Sequence, residues 1–312
     1  MVNTLERPGT ATAEPTLRDV GLAALAPASW GTVYVVTATL LPPDRPLLAA
    51  ALRALPAGLL LLALTRRLPH GSWWWKTAVL GMLNFGAFLP LMFLAAYRLP
   101  GGVAATLGAL QPLLVALLAL PMLRVRTSAP TLLAAIVGAG GVALLTLSAE
   151  ARLDPLGLAA MLAGVALMAV SLILTKKWGR PGHPLAMTGW QLTLGGVVLA
   201  PVTLLFEGLP DSVTTANLLG YGYIGIVTTA VAYPLWFRGI GLLAPAPVSL
   251  LTLTNPLVAT AAGFLVLGQT LTGWQLTGFA VALTALTLSQ TVVRPKKPRE
   301  EPATAAGPYP KV

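Results

Sequence analysis

Cysteine is absent from the 312 residues, which excludes disulfides, thiolate nucleophiles and Cys-ligated metals. Histidine is almost absent. His70 and His183 stand beside glycine or proline in expected loops, and a metal site needs more nitrogen or sulfur donors than these two supply. Charged residues make up only 10% of the chain. No Asp or Glu falls in the middle of a long apolar run: Asp44, Glu150, Glu207 and Asp211 all stand at run ends or between runs. There is no Gly-x-Ser-x-Gly turn, no His–carboxylate constellation and no phosphate-binding loop. "GAGG" at 138–141 lies inside an apolar run, where small residues serve helix packing. The chain is therefore expected to be no enzyme and to need neither cofactor nor metal.

What is present is apolar surface. Hydrophobic residues form 56% of the chain and the mean hydropathy is +0.78. A soluble domain carries nearer a quarter charged residues, because its surface must be solvated. This composition predicts an all-α polytopic membrane protein. The net charge of +10 is scattered between apolar runs and gathers only in the last tail. Such charge fixes topology and meets anionic lipid, so membrane lipids are expected partners and nucleic acid is not. Residues 1–17 are polar and carry Glu6 and Glu14, so no cleavable signal peptide is expected.

Cutting at charges and Pro/Gly clusters gives ten segments long enough to span a bilayer. They are 19–40, 46–65, 74–96, 101–122, 130–149, 155–176, 184–206, 218–238, 245–267 and 272–293. Sixteen of the twenty Lys and Arg residues then fall on the side of the termini. Three, Arg45, Arg98 and Arg152, fall on the other side, and Arg53 lies inside a span. The asymmetry predicts cytoplasmic termini and a multi-pass protein of a bacterial inner membrane. "WWWK" at 73–76 reads as an interfacial aromatic belt.

The chain also repeats itself. A shift of 144 places Gly81 on Gly225, Pro90 on Pro234, Phe93 on Phe237 and Gln111-Pro112 on Asn255-Pro256. A shift of 138 places Pro46 on Pro184, Arg53 on Gln191 and Gly58 on Gly196. Five helices per copy is an odd number, so the second copy is inverted, which is the plan of secondary transporters with a site between the halves. The expected organisation is a cytoplasmic N-tail (1–18), a first five-helix repeat (19–149), a second inverted one (155–293) and a disordered cytoplasmic tail (294–312). Pro112 and Pro256 fall about eleven residues into their spans, near mid-membrane. Each denies an N–H to the carbonyl four residues back, so both are read as hinges, with Gln111 and Asn255 beside them facing the cavity.

"WG" at 30–31, "RALPAGLLLLAL" from Arg53, "LAAYRLPGGVAATLGALQPLLVALLAL" from Leu94 and "LGQTLTGWQLTGFAVAL" from Leu267 resemble the EamA repeat of the drug/metabolite transporter superfamily, once in each half. The chain is most similar to its YddG-type exporters of aromatic and other neutral amino acids. The resemblance implies ten helices, termini inside, and a central cavity lined by helices 1–4 and 6–9, with helices 5 and 10 peripheral. This chain departs from the pattern where EamA repeats carry Gly-Glu after helices 4 and 9, having Leu123-Arg124 and Gly268-Gln269.

On helices turned inward by that fold, polar and aromatic residues recur at helical spacing. Trp30, Tyr34 and Thr37 form one stripe, Asn84 and Phe88 a second with Met92 beyond, and Thr229, Tyr233 and Phe237 a third. Trp190-Gln191 and the Met161/Met168 pair add to them. The expected substrate-contacting set is Trp30, Tyr34, Asn84, Phe88, Gln111, Met168, Trp190, Thr229, Tyr233 and Asn255. Arg53 is assigned to snorkelling or to carbonyls of a neighbouring helix. Such a lining suits a neutral amphiphile of amino-acid size. The reading is an alternating-access exporter of small metabolites, foremost neutral and aromatic amino acids. The rival readings are a broad drug or cation exporter, a lipid flippase and a non-transporting scaffold.

Overall fold

In a computed structural model, the chain is described over residues 16–43, 45–99, 104, 107–146, 154–179, 182–210, 212–268 and 272–291. The expected N- and C-terminal tails fall almost wholly outside these residues, as does Gln269. The described residues form ten helices and no strand: α1 (Leu17–Leu40), α2 (Pro46–Thr65), α3 (Trp73–Arg98), α4 (Gln111–Leu123), α5 (Ala129–Thr146), α6 (Pro155–Trp178), α7 (Pro184–Phe206), α8 (Thr215–Leu242), α9 (Pro245–Val266) and α10 (Gly273–Thr291). Seven are long and apolar enough to cross a membrane, and the regular parts of α4, α5 and α10 are shorter apolar helices.

Local chemistry sets the helix starts. Thr16 and Asp19 form a reciprocal capping box at α1, as Thr214 and Asn217 do at α8. Pro46, Pro155, Pro184 and Pro245 open α2, α6, α7 and α9, where a missing N–H costs nothing. The Glu207 carboxylate accepts from the Leu47 and Leu48 amides at 2.7 and 2.8 Å and so caps α2 from across the bundle. Asp154 caps α6 through the Gly157 N–H, which, with Arg98 nearby, holds its carboxyl below the usual range.

The two halves meet through α2 against α7 and α5 against α10. A Cβ on Gly58 would lie 2.4 Å from Thr193 N, and one on Gly196 would lie 2.6 Å from Leu55 Cα. The shift of 138 exchanges these two contacts. At the other crossing Gly141 meets Ala282 and Gly138 meets Ala285, and the shift of 144 exchanges those. Both pairs run antiparallel, since one index rises as the other falls. Equivalent helices that pack antiparallel require a two-fold axis across the helices rather than along them, and this is the geometry of inverted repeats.

Apolar residues such as Leu117, Leu205, Phe206 and Leu265 stay exposed on the outside of the bundle, as a lipid-facing surface requires. Trp74 and Trp75 are also exposed. Lys76 lies over the Trp73 and Trp75 rings at 5.0 and 5.8 Å, at the end of the bundle nearest the termini.

Candidate functional site

Neither α3 nor α8 is a continuous α-helix. α3 contains a π turn at Met82–Gly86 and α8 one at Ile226–Val231. The shift of 144 superposes the two, and each is followed by a proline, Pro90 and Pro234. A π turn inserts an extra residue and leaves carbonyls turned outward, often at functional sites. In α8 the Thr228 carbonyl accepts from Trp30 Nε1 at 2.9 Å and from Arg53 Nη2 at 3.4 Å. Arg53 Nε donates to Thr229 Oγ1 at 2.9 Å.

Around this junction lies a cavity of about 530 Å3 between the two halves. α1 contributes Trp30, Tyr34 and Thr37, α2 contributes Arg53, and α3 contributes Phe88, Met92 and Tyr97. Gln111 enters from α4, Met161 and Met168 from α6, Tyr233 from α8, and Asn255 and Pro256 from α9. The lining reaches Pro43, Tyr97 and Ala104, at the end of the bundle opposite the termini. At the other end lies an aromatic plug. The Trp30 ring is 4.9 Å from Tyr233 and 5.5 Å from Trp236, and Tyr233 is 4.7 Å from Phe85 and 6.0 Å from Phe237. Trp236, Phe85 and Phe237 are fully buried. An Asp19–Arg238 ion pair ties α1 to α8 beyond the plug.

Seven of the ten residues expected from sequence line the cavity: Trp30, Tyr34, Phe88, Gln111, Met168, Tyr233 and Asn255. Three do not. Asn84 is buried and donates to Gln191 Oε1 at 2.7 Å. Thr229 is buried under Arg53 and donates to the Ile224 carbonyl at 2.7 Å. Both were placed by the 3.6-residue period, and both stand in a π turn, which shifts the phase and separates Asn84 from Phe88 and Thr229 from Tyr233. Trp190 belongs to the end nearest the termini, where its Nε1 donates to the Arg67 carbonyl at 2.6 Å. α7 supplies no lining residue at all, because its inner face is spent on packing against α2.

Arg53, assigned from sequence to snorkelling or to carbonyls of a neighbouring helix, does bond the Thr228 carbonyl of α8. It is also 2% exposed and lines the cavity, which places it among the candidate site residues that the sequence-based set left out. The signal was available, because it is the one basic residue inside a span, and an intramembrane ionisable group marks function by default. The expected kink at Pro112 also takes a different form. α4 is already broken by a turn at 109–110, and regular helix begins at Gln111, so Pro112 stands in a first turn where its missing N–H is harmless. α9 changes to a 3-10 turn at Leu251–Leu253 before Thr254 and Pro256. Each proline thus stands just after a break in its helix, which falls where the carbonyl four residues back, Gly108 or Thr252, lacks the proline's N–H.

The pattern of the EamA-like transporter family matches residues 18–147 and again residues 155–291. The chain belongs to the EamA-like transporter family. It is 48% identical over 269 residues to Protein PecM of Dickeya dadantii (strain 3937), covering 86% of this chain and 90% of that one. A WAT1-related chloroplastic protein of Arabidopsis thaliana, At3g02690, is 28% identical over 83% of this chain and 66% of its own length. A crystal structure sharing 19% identity superposes with a TM-score of 0.77 over 90% of this chain and 99% of the other, which establishes the common fold. This EamA-like protein is a multi-pass membrane transporter of small molecules, and the cavity lies between the two segments that match the family pattern.

Proposed function

We propose that the chain is an alternating-access exporter of small metabolites, foremost neutral and aromatic amino acids, that its termini are cytoplasmic and that it resides in a bacterial inner membrane. The observation that carries this reading is the cavity itself. It sits between inverted halves, reaches one end of the bundle and is stopped by an aromatic plug before the other. Its volume falls within the range of small-ligand sites, about 300–1,000 Å3. Six aromatic residues and three methionines stand in its wall, and Gln111 and Asn255 offer uncharged donors and acceptors. With cytoplasmic termini, the cavity of this structure faces outward.

A cation exporter is disfavoured because no described lining residue is acidic and one is an arginine. A scaffold has no use for a polar cavity between matched halves. The test is uptake of labelled phenylalanine by liposomes carrying the purified chain, with Trp30→Ala and Tyr233→Ala alongside. Uptake by the wild type that falls in both variants supports the reading. Uptake no greater than in empty liposomes, with the protein folded and inserted, removes it.

A further inference from the structure

We infer that Arg53 is the anchor for a carboxylate on the substrate, so that the cavity selects aromatic carboxylates and makes no comparable use of the α-amino group. This rests on reading the cavity as the transport site, and it narrows the substrate class proposed above.

Three observations point the same way. First, Arg53 is a cation in the membrane-spanning part of the bundle whose hydrogen-bond partners among the described residues are a hydroxyl and a carbonyl, Thr229 Oγ1 and Thr228 O. The described ion pairs, Arg98–Asp154 and Arg238–Asp19, leave it without a carboxylate, and its Nη1 has no hydrogen-bond acceptor among the described residues. A buried charge without a counter-charge is costly, and a ligand anion removes that cost. Second, Gln111 Nε2 and Thr37 Oγ1 are buried without a hydrogen-bond partner among the described residues, and both residues line the cavity. They add uncharged donors to the wall of the same cavity. Third, the lining holds aromatic rings for an apolar body and no described acid for an ammonium group.

The chemistry is that of a planar guanidinium fork. Nε and Nη2 are held by α8 while Nη1 stays available, which fixes the plane and aims one free edge at the ligand. Arg53 is thus a specificity-determining residue for a monocarboxylate whose ring rests against the Trp30, Tyr34 and Tyr233 side of the wall.

The experiment is calorimetric titration of the solubilised full-length protein with four related ligands: 3-phenylpropionate, its amide, phenethylamine and phenylalanine. Phenylpropionate and phenylalanine should bind with similar affinity, and the amide and the amine at least about tenfold more weakly, the usual scale for losing a charge-assisted hydrogen bond. Arg53→Gln should abolish the preference for acid over amide, and Arg53→Lys should restore part of it. Glutamine stands at the equivalent position of the other half, Gln191, so Arg53→Gln places there a side chain the scaffold already packs. Should that variant fail to fold, the wild-type comparison of acid against amide decides alone. Equal binding of acid and amide by the wild type overturns the proposal. So does chloride displacing phenylpropionate at equal concentration, which would assign the cation to an inorganic anion. Phenylpropionate binding through Arg53 with no phenylalanine transport in liposomes would defeat only the amino-acid reading. Phenylalanine transport with an unchanged KM in Arg53→Gln would defeat only this one.

Discussion

Arg53 of α2 and Gln191 of α7 occupy equivalent places in the two halves, and each reaches the π turn of the other half. Arg53 meets Thr228 and Thr229 of α8, and Gln191 meets Asn84 of α3. The backbone solution is the same, down to the π turn and the proline after it. The chemistry is opposite. The Gln191–Asn84 pair is neutral and closed off from the cavity, joined by one hydrogen bond while Gln191 Nε2 has no partner among the described residues, whereas Arg53 is charged, lacks an acid and lines it. The two-fold relation therefore sets where polar groups can cross between halves, and side-chain identity decides which crossing takes a ligand.

The largest effect should come from placing the charge on the wrong side. Gln191→Arg puts a guanidinium on a residue that is 1% exposed, whose backbone packs against Gly81 and which does not line the cavity. It should destabilise the fold by about 3–5 kcal/mol, the scale of an uncompensated buried charge. A thermal unfolding midpoint in detergent close to that of the wild type would show that the two crossings are interchangeable.

A smaller effect is expected where the halves are alike. Gly58→Ala and Gly196→Ala each push a methyl into the opposite backbone and should cost about 1–3 kcal/mol apiece. Because the two-fold exchanges the contacts, the two midpoints should fall by similar amounts. A large fall in one alone would sharpen the asymmetry and assign it to the crossing rather than to Arg53.

The smallest effect concerns Pro112 and Pro256. Each follows an irregular turn, and alanine supplies an N–H that can extend the helix backward by one bond, worth about 0.5–1.5 kcal/mol. If both breaks are hinges, this biases the two access states in opposite directions, by up to about tenfold, since 1.4 kcal/mol is a factor of ten. The readout is labelling of a cavity cysteine from each side of the membrane. Accessibility and transport rate unchanged in both variants would mark the turns as static.

These contrasts also explain what the sequence made legible. The span pattern and the two shifts follow from hydropathy and from glycines and prolines whose roles are geometric. Gly58 and Gly196 are needed at a crossing closer than a Cβ allows, and that need survives when the other side chains drift. The site was less legible. Trp30, Tyr34 and Tyr233 could be placed by helical periodicity, because α1 and the stretch of α8 after its π turn keep a regular phase. Asn84 and Thr229 could not, because no residue type announces a π turn, and one extra residue per turn rotates a stripe off its face. Trp190 failed for a different reason. Its indole meets a carbonyl in the loop after α2, a contact set by how the chain ends its helix at Arg66, which has a left-handed backbone. Arg53 was visible as a lone charge, but only the structure gives its distance to Thr229 and its lack of an acid.

The most direct test uses the absence of cysteine from the chain. Ala38 is exposed and lines the cavity near the end opposite the termini, so Ala38→Cys reports on that space without further engineering. In right-side-out vesicles an impermeant maleimide added outside should label it, and phenylalanine or 3-phenylpropionate should slow the labelling. That protection should be lost in the Arg53→Gln background. Labelling from the cytoplasmic side alone, or labelling indifferent to a ligand that the same vesicles transport, would contradict the assignment of this cavity as the route.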